Sequence, residues 1–217
     1  MSQAMQPAET IHSMLAVGRR PLSSGRTAEV VNLVRAQPKR AAQLIECLWD
    51  DDSVLAMRAA DALEKLSRTM PALLNAWKAP LLGLLAEATQ NKLRWSLAQI
   101  VPRLTLTRPE CRRSSETLQS YLDDPSSIVK TCALQGLADL TRQDSSLLPD
   151  VVDLLRIHSR SGTPAMRARG RILLRRLEVS ERGSSVRNRD KSREGKCAER
   201  FTHYDDRSLS QVTTLTP

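Results

Sequence analysis

Two sets of side chains in this chain of 217 residues have the types and spacing to carry chemistry. Arg167, Arg171 and Arg175 are four apart, so on a helix they form one guanidinium row. They belong to a run, with Arg160, Arg169 and Arg176, that contains no acidic residue between Arg160 and Leu177. Like charges at that spacing repel, and a phosphate backbone or an acidic protein surface would relieve them. The same cations also suit the C-terminal end of a solvent-facing helix. Arg94, Arg103 and Lys130 would extend such a row into a nucleic-acid surface. The second set is Trp95, Gln99 and Gln135, with Arg171 beside them. An amphipathic indole next to a groove is a strong anchor for a protein partner; the alternative is a ring packed across a helix boundary. Catalytic signals are missing: the sequence has no Gly-rich phosphate loop, HExxH, GxSxG or paired carboxylates. Cys47, Cys111, Cys132 and Cys197 form no CxxC and the histidines are scattered, so neither a metal nor a cofactor is expected.

The elements that must position these residues are legible from periodicity. In residues 93–104 the apolar positions Leu93, Leu97, Ile100, Val101 and Leu104 trace the stripe of a helix buried along one face. The pattern returns at Leu55–Leu66, Val129–Leu140 and Met166–Leu177, with starts 38, 36 and 37 residues apart. That is the period of a two-helix repeat. The first column reads Leu55, Leu93, Val129, Met166 and the last Leu66, Leu104, Leu140, Leu177; Ala59, Leu97, Ala133, Gly170 and Leu63, Val101, Leu137, Leu174 lie between. Between these columns sit Met57, Trp95, Thr131, Ala168 and, one turn on, Asp61, Gln99, Gln135, Ile172. Outer helices share the period, since Leu48, Leu85 and Leu122 are 37 apart each time.

In chain order, residues 1–10 are expected to fray, Ile11–Val17 to form a short helix, and Gly18–Gly25 a loop. Thr27 is expected to cap a helix running through Val34. Residues 8–37 then form a degenerate repeat closing the N-terminal end of the stack. Pro38 suits the first turn of the next helix, which ends at Asp50-Asp51-Asp52. Pro71, Pro80 and Pro149 signal short turns or bends ahead of the outer helices. Trp49 and Trp77 are expected in core or interface packing, and Cys47 and Cys132 in the core. Residues 179–217, rich in Ser and Arg, lack the apolar surface to fold alone and are expected to be disordered. Two domains follow: a helical stack over 1–178 and the tail over 179–217.

The chain carries a formal charge of +9 with a sequence pI near 9.9. From Glu178 onward eight Lys/Arg face seven Asp/Glu, so +8 resides in the helical region. A basic body attracts nucleic acid or an acidic protein; it can equally be a solvated basic surface. Aromatic residues are only 3%, which fits small residues at close helix contacts. No stretch approaches the roughly 20 apolar residues of a membrane span, and no signal peptide is evident. A reduced, cytoplasmic setting is the expectation.

The repeats resemble the HEAT family, in which an acidic residue closes the outer helix and a basic residue opens the inner helix six positions later. Asp124 and Lys130 match that pattern, and Arg94 and Arg167 occupy the same basic position. Ala56 replaces the basic residue after Asp50, and Ala88 and Ser161 stand where acidic partners of Arg94 and Arg167 would be. The resemblance covers roughly residues 38–178. It implies an all-α, right-handed α-solenoid of about four to five two-helix repeats, with function on the concave inner-helix face. A non-enzymatic scaffold or regulatory subunit that binds a protein partner is the leading expectation, with nucleic-acid binding the alternative. One enzyme reading stays open, because alkylpurine DNA glycosylases with HEAT-like repeats use aromatic residues and an Asp against DNA; Trp95 has Gln99 beside it, and Asp61 on the preceding helix is the carboxylate within reach of the same groove.

Overall fold

The computed structural model describes residues 9–17 and 26–179. Among these residues the chain is all helical, with no strand. The α-helices are α1 (Ile11–Ala16), α2 (Thr27–Ala36), α3 (Ala41–Glu46), α4 (Ser53–Thr69), α5 (Pro71–Leu74), α6 (Lys78–Glu87), α7 (Asn91–Ile100), α8 (Arg108–Ser120), α9 (Ser127–Leu140), α10 (Leu148–Ser161) and α11 (164–179). The border between two compact units falls inside α11, at Leu173–Leu174. The expectations of a frayed start, a loop at Gly18–Gly25 and a disordered tail lie on or mostly on residues outside the described ones, as does Cys197.

Within the first unit the expected inner helices are neighbours: α2 packs on α4, α4 on α7, and α7 on α9. A second set leans on them, with α3 on α4, α6 on α7 and α8, α8 on α9, and α10 on α9. The apolar columns read from the sequence meet in these contacts. Leu55, Ala59, Leu63, Leu66, Leu93, Leu97, Val101, Leu104, Val129, Ala133, Leu137 and Leu140 are all buried. Each large aliphatic side chain so removed from water contributes roughly 1.5–3 kcal/mol, and together they hold the row of helices in register.

Helix starts follow from local chemistry. The Asp52 carboxylate accepts from Val54 N–H at 2.8 Å and opens α4. Thr107 and Glu110 form a reciprocal capping box on α8. Pro38, Pro71, Pro109 and Pro149 occupy first turns, where a missing N–H costs nothing.

Several expectations are corrected. The stripe at 93–104 is not one continuous helix, for α7 ends at Ile100 and a 3-10 turn follows over Val101–Arg103. Pro102 has no N–H to give the Ala98 carbonyl four residues back, so the α pattern stops there. Thr27 does not cap α2 through its side chain; it is buried in the first turn, with Arg26 at the cap position. Pro80 does not interrupt the third outer helix but sits within the first turn of α6, the break being a 3-10 turn at Asn75–Trp77. Trp49 is 50% exposed rather than core, while Trp77 and Cys132 are half-buried.

Candidate functional site

The positions that packing leaves free on the inner helices form a continuous band across α4, α7, α9 and the first part of α11. Met57, Trp95 and Thr131 are half-buried and Ala168 is exposed; one turn on, Asp61, Gln99 and Gln135 are half-buried and Ile172 is 51% exposed. Trp95 therefore offers part of its ring while the rest is packed. Its neighbours are tethered by short-range hydrogen bonds. Lys65 Nζ donates to Asp61 Oδ2 at 2.7 Å on α4. On α7, Gln99 Nε2 donates to the Trp95 carbonyl at 3.4 Å. On α9, Gln135 Nε2 donates to Asp139 Oδ2 at 2.7 Å, and Gln135 Oε1 receives Arg169 Nη1 from α11 at 3.5 Å. Gln99 is thus tied to Trp95 within α7, while Arg169 links α11 to Gln135 of α9. Arg171 is exposed on α11.

The cations proposed from sequence for nucleic acid have a different environment. Arg94 Nη1 donates to Asp124 Oδ2 at 2.6 Å, and its Nε donates to the Ala88 carbonyl at 2.6 Å. The Asp124 side chain is fully buried and also accepts from Ser126 N–H at 2.7 Å. The Arg94 guanidinium lies 5.0 Å from the Tyr121 ring centroid, and the Tyr121 hydroxyl donates to the Leu85 carbonyl. Burial pushes the Tyr121 hydroxyl up to about 12, with the Arg94 charge opposing that rise. Arg103 is engaged in the same way: Nη1 donates to Glu64 Oε1 at 2.9 Å, to the Glu64 carbonyl at 3.3 Å and to Ser67 Oγ at 2.7 Å. Glu64 is buried and is also held by Arg68 Nε at 2.8 Å. Both guanidinium groups serve as structural clasps between neighbouring helices. Arg167 Nη1 donates to the Gly162 carbonyl at 3.1 Å, closing the α10–α11 turn. Lys130 is half-buried, and Arg171 and Arg175 are exposed on α11.

The missing acidic partners find an answer here. At Ala88 a backbone carbonyl takes the place of the absent carboxylate, and Asp124 reaches back to Arg94 on the preceding inner helix. The inner-helix clasp of Glu64 with Arg103 was not read from sequence. Its signal was available, since Glu64 follows Leu63 in the buried stripe and an acid there requires a cation.

The band holds the ingredients of recognition: one large ring, amide donors and acceptors, and the Asp61–Lys65 ion pair. Among the described residues no group of His, Cys, Asp and Glu has the arrangement of a metal site. Cys47 and Cys111 are buried free thiols, raised by burial, Cys47 to about 11. Such thiols are poor nucleophiles. Among the described residues no helix is long and apolar enough to cross a membrane.

No protein-family model and no curated protein matches this chain. A solved crystal structure described as an engineered protein from the Northeast Structural Genomics Consortium is similar to it, with a TM-score of 0.53 at 17% identity. The match covers 72% of this chain and 68% of that one. At that identity the likeness speaks for the helical fold alone.

Proposed function

We propose that the chain is a non-enzymatic, HEAT-like α-solenoid protein that docks a protein partner on the α4–α7–α9 face, in the manner of a scaffold or regulatory subunit. The observation that carries this reading is the half-buried Trp95 within a polar band. A half-buried aromatic ring beside amide side chains suits a protein surface of mixed polarity. The fate of the cations points the same way. Affinity for nucleic acid depends on unneutralised Lys and Arg that release counterions, and Arg94 and Arg103 already spend their charge on buried carboxylates. The glycosylase-like reading loses support on the same face, because Asp61 carries an ion pair with Lys65 at 2.7 Å.

The test compares the wild-type chain with a variant carrying alanine at Trp95, Gln99, Gln135 and Arg171. Partner capture from native cells by the wild type should be lost in the variant while its helical content is retained. Equal capture by both would overturn the reading. In parallel, fluorescence anisotropy on labelled duplex DNA and RNA at two salt concentrations reads the alternative. Binding that falls steeply with salt and is lost with Arg167, Arg171 and Arg175 would replace the protein partner with a nucleic acid.

A further inference from the structure

The groove between the outer helices α6 and α8 has the size and polarity of a small-molecule site. Between Lys78 and Glu87, α6 has no polar side chain, and Ala79, Leu82, Gly83 and Ala86 line a groove of about 510 Å³ against α8. That volume lies within the roughly 300–1,000 Å³ of ligand pockets. The groove stays open because α6 lines it largely with small residues. Ala79, Gly83 and Ala86 are spaced +4 and +3, one helical face, and a Cβ added at Gly83 would meet nothing within 4 Å. A second, independent feature lies in the opposite wall. Ser114 of α8 lines the groove, is 2% exposed, and its hydroxyl has no hydrogen-bond partner. A buried hydroxyl left unmatched costs stability, and an acceptor brought by an occupant would satisfy it.

The charges of α8 say what that acceptor belongs to. Glu110 is already held by Lys78 Nζ at 2.8 Å and by the Thr107 N–H, so it adds no open charge. Arg113 and Glu116 are exposed and line the groove about one turn apart, and among the described residues neither side chain is engaged in a hydrogen bond or an ion pair. Two charges of opposite sign, side by side on one helix, match a molecule that carries both signs close together. Helical positions three apart have Cβ atoms about 5–6 Å from each other, and the ammonium and carboxylate of one α-amino acid fit between such side chains. We propose that the α6–α8 groove binds a free apolar α-amino acid as its zwitterion. Its carboxylate accepts from the Arg113 guanidinium and the Ser114 hydroxyl, its ammonium donates to Glu116, and its side chain lies on Ala79, Gly83 and Ala86. A fatty acid would leave Glu116 unanswered, and an apolar amine would leave Arg113 and Ser114 without an acceptor. Both charges reach solvent and the groove is open, so the complex is weak, with a Kd on the order of 1 mM.

Amide shifts of the isotope-labelled full chain, titrated with L-phenylalanine from ~0.1 to ~20 mM, read this directly, since that range spans such a Kd. The expected result is saturable movement centred on Gly83, Ser114 and Thr117. N-acetyl-L-phenylalanine lacks the ammonium and L-phenylalanine amide lacks the carboxylate, so each should bind at least about fivefold more weakly. Gly83→Leu, whose side chain has the open groove to occupy, should abolish the response with helical content unchanged. Ser114→Ala should weaken binding about threefold through the lost hydrogen bond. Shifts that do not saturate by ~20 mM, equal binding of the three compounds, or an unchanged response in Gly83→Leu overturns the proposal. None of these residues belongs to α4, α7 or α9, so this reading and that of the Trp95 face fail independently.

Discussion

Replacing Arg94 by alanine should be among the most destabilising single changes in the inner helices, although Arg94 is a polar residue with 29% of its side chain exposed. Asp124 has none of its side chain exposed. Without the guanidinium it would keep only the Ser126 N–H as partner, leaving a buried carboxylate largely uncompensated. Removing one member of a buried ion pair typically costs 3–5 kcal/mol. The partial exposure of Arg94 places this case at the low end, about 3 kcal/mol, with a contribution of ~0.5–1 kcal/mol from the lost contact with the Tyr121 ring included. Urea unfolding at pH 7, followed by tryptophan emission, measures it. With a slope near ~2 kcal/mol/M, the midpoint should fall by about 1.5 M. Asp124→Asn keeps an acceptor for only one of Ser126 and Arg94, which bond different oxygens of the carboxylate, and should also destabilise the protein. The double variant Arg94→Ala/Asp124→Ala should cost at least ~1.5 kcal/mol less than the two alanine changes summed, because each single change breaks the same ion pair and leaves its other member unpaired. A midpoint shift below ~0.3 M for Arg94→Ala, or strict additivity in the cycle, would refute the clasp and return Arg94 to the pool of cations free for nucleic acid.

Other outcomes follow from the same geometry. The Glu110 carboxyl is held down to about 2 by the Lys78 ammonium at 2.8 Å and by the Thr107 N–H, against an ordinary 4.5. Its ionised form is favoured by folding, so its contribution is complete above the ordinary value and fades as pH falls from about 4.5 to about 2. Lys78→Met should therefore lower stability at pH 6 and match the wild type near pH 2, as read by thermal unfolding across that range. Thr107→Ala should cost about 1 kcal/mol in urea unfolding through loss of the α8 cap. Gly136→Ala should destabilise by about 2 kcal/mol despite alanine's better helix propensity, because the new Cβ would meet the Ala98 carbonyl at 2.5 Å and Leu118 Cδ1 at 2.9 Å. Gly83→Ala, with open space at the same atom, should instead stabilise the fold by ~0.5–1 kcal/mol. Acrylamide should quench Trp49, half exposed, far more than Trp95 or Trp77, which Trp→Phe variants resolve one ring at a time.

Repetition made the packing legible. Four occurrences of one apolar spacing placed Leu55, Leu93, Val129 and Met166 at equivalent buried positions, and helices whose stripes match in phase have to pack on one another. What the spacing could not show was where the backbone departs from it. Pro102 looks tolerable within an apolar stripe, yet it ends α7 and frees the Ala98 carbonyl, against which α9 brings Gly136. Polar residues were harder to place, because their roles depend on partners about 30 to 40 residues away. Arg94 reads as a surface cation until Asp124 is seen to be buried beneath it, and Arg103 until Glu64 and Ser67 are brought to its guanidinium. Trp95, Gln99 and Gln135 were identified by the opposite logic, as positions between the columns, and all three are half-buried.

The most direct test places a photo-activated benzophenone side chain at position 99 or 135 of the full chain in its native cells, with the exposed Arg142 position as control. A protein partner on the α4–α7–α9 face would give a discrete adduct of defined added mass at both 99 and 135, absent at 142 and lost when Trp95 is alanine. Equal labelling at all three positions, no protein adduct at 99 and 135, or adducts consisting of nucleic acid would contradict it.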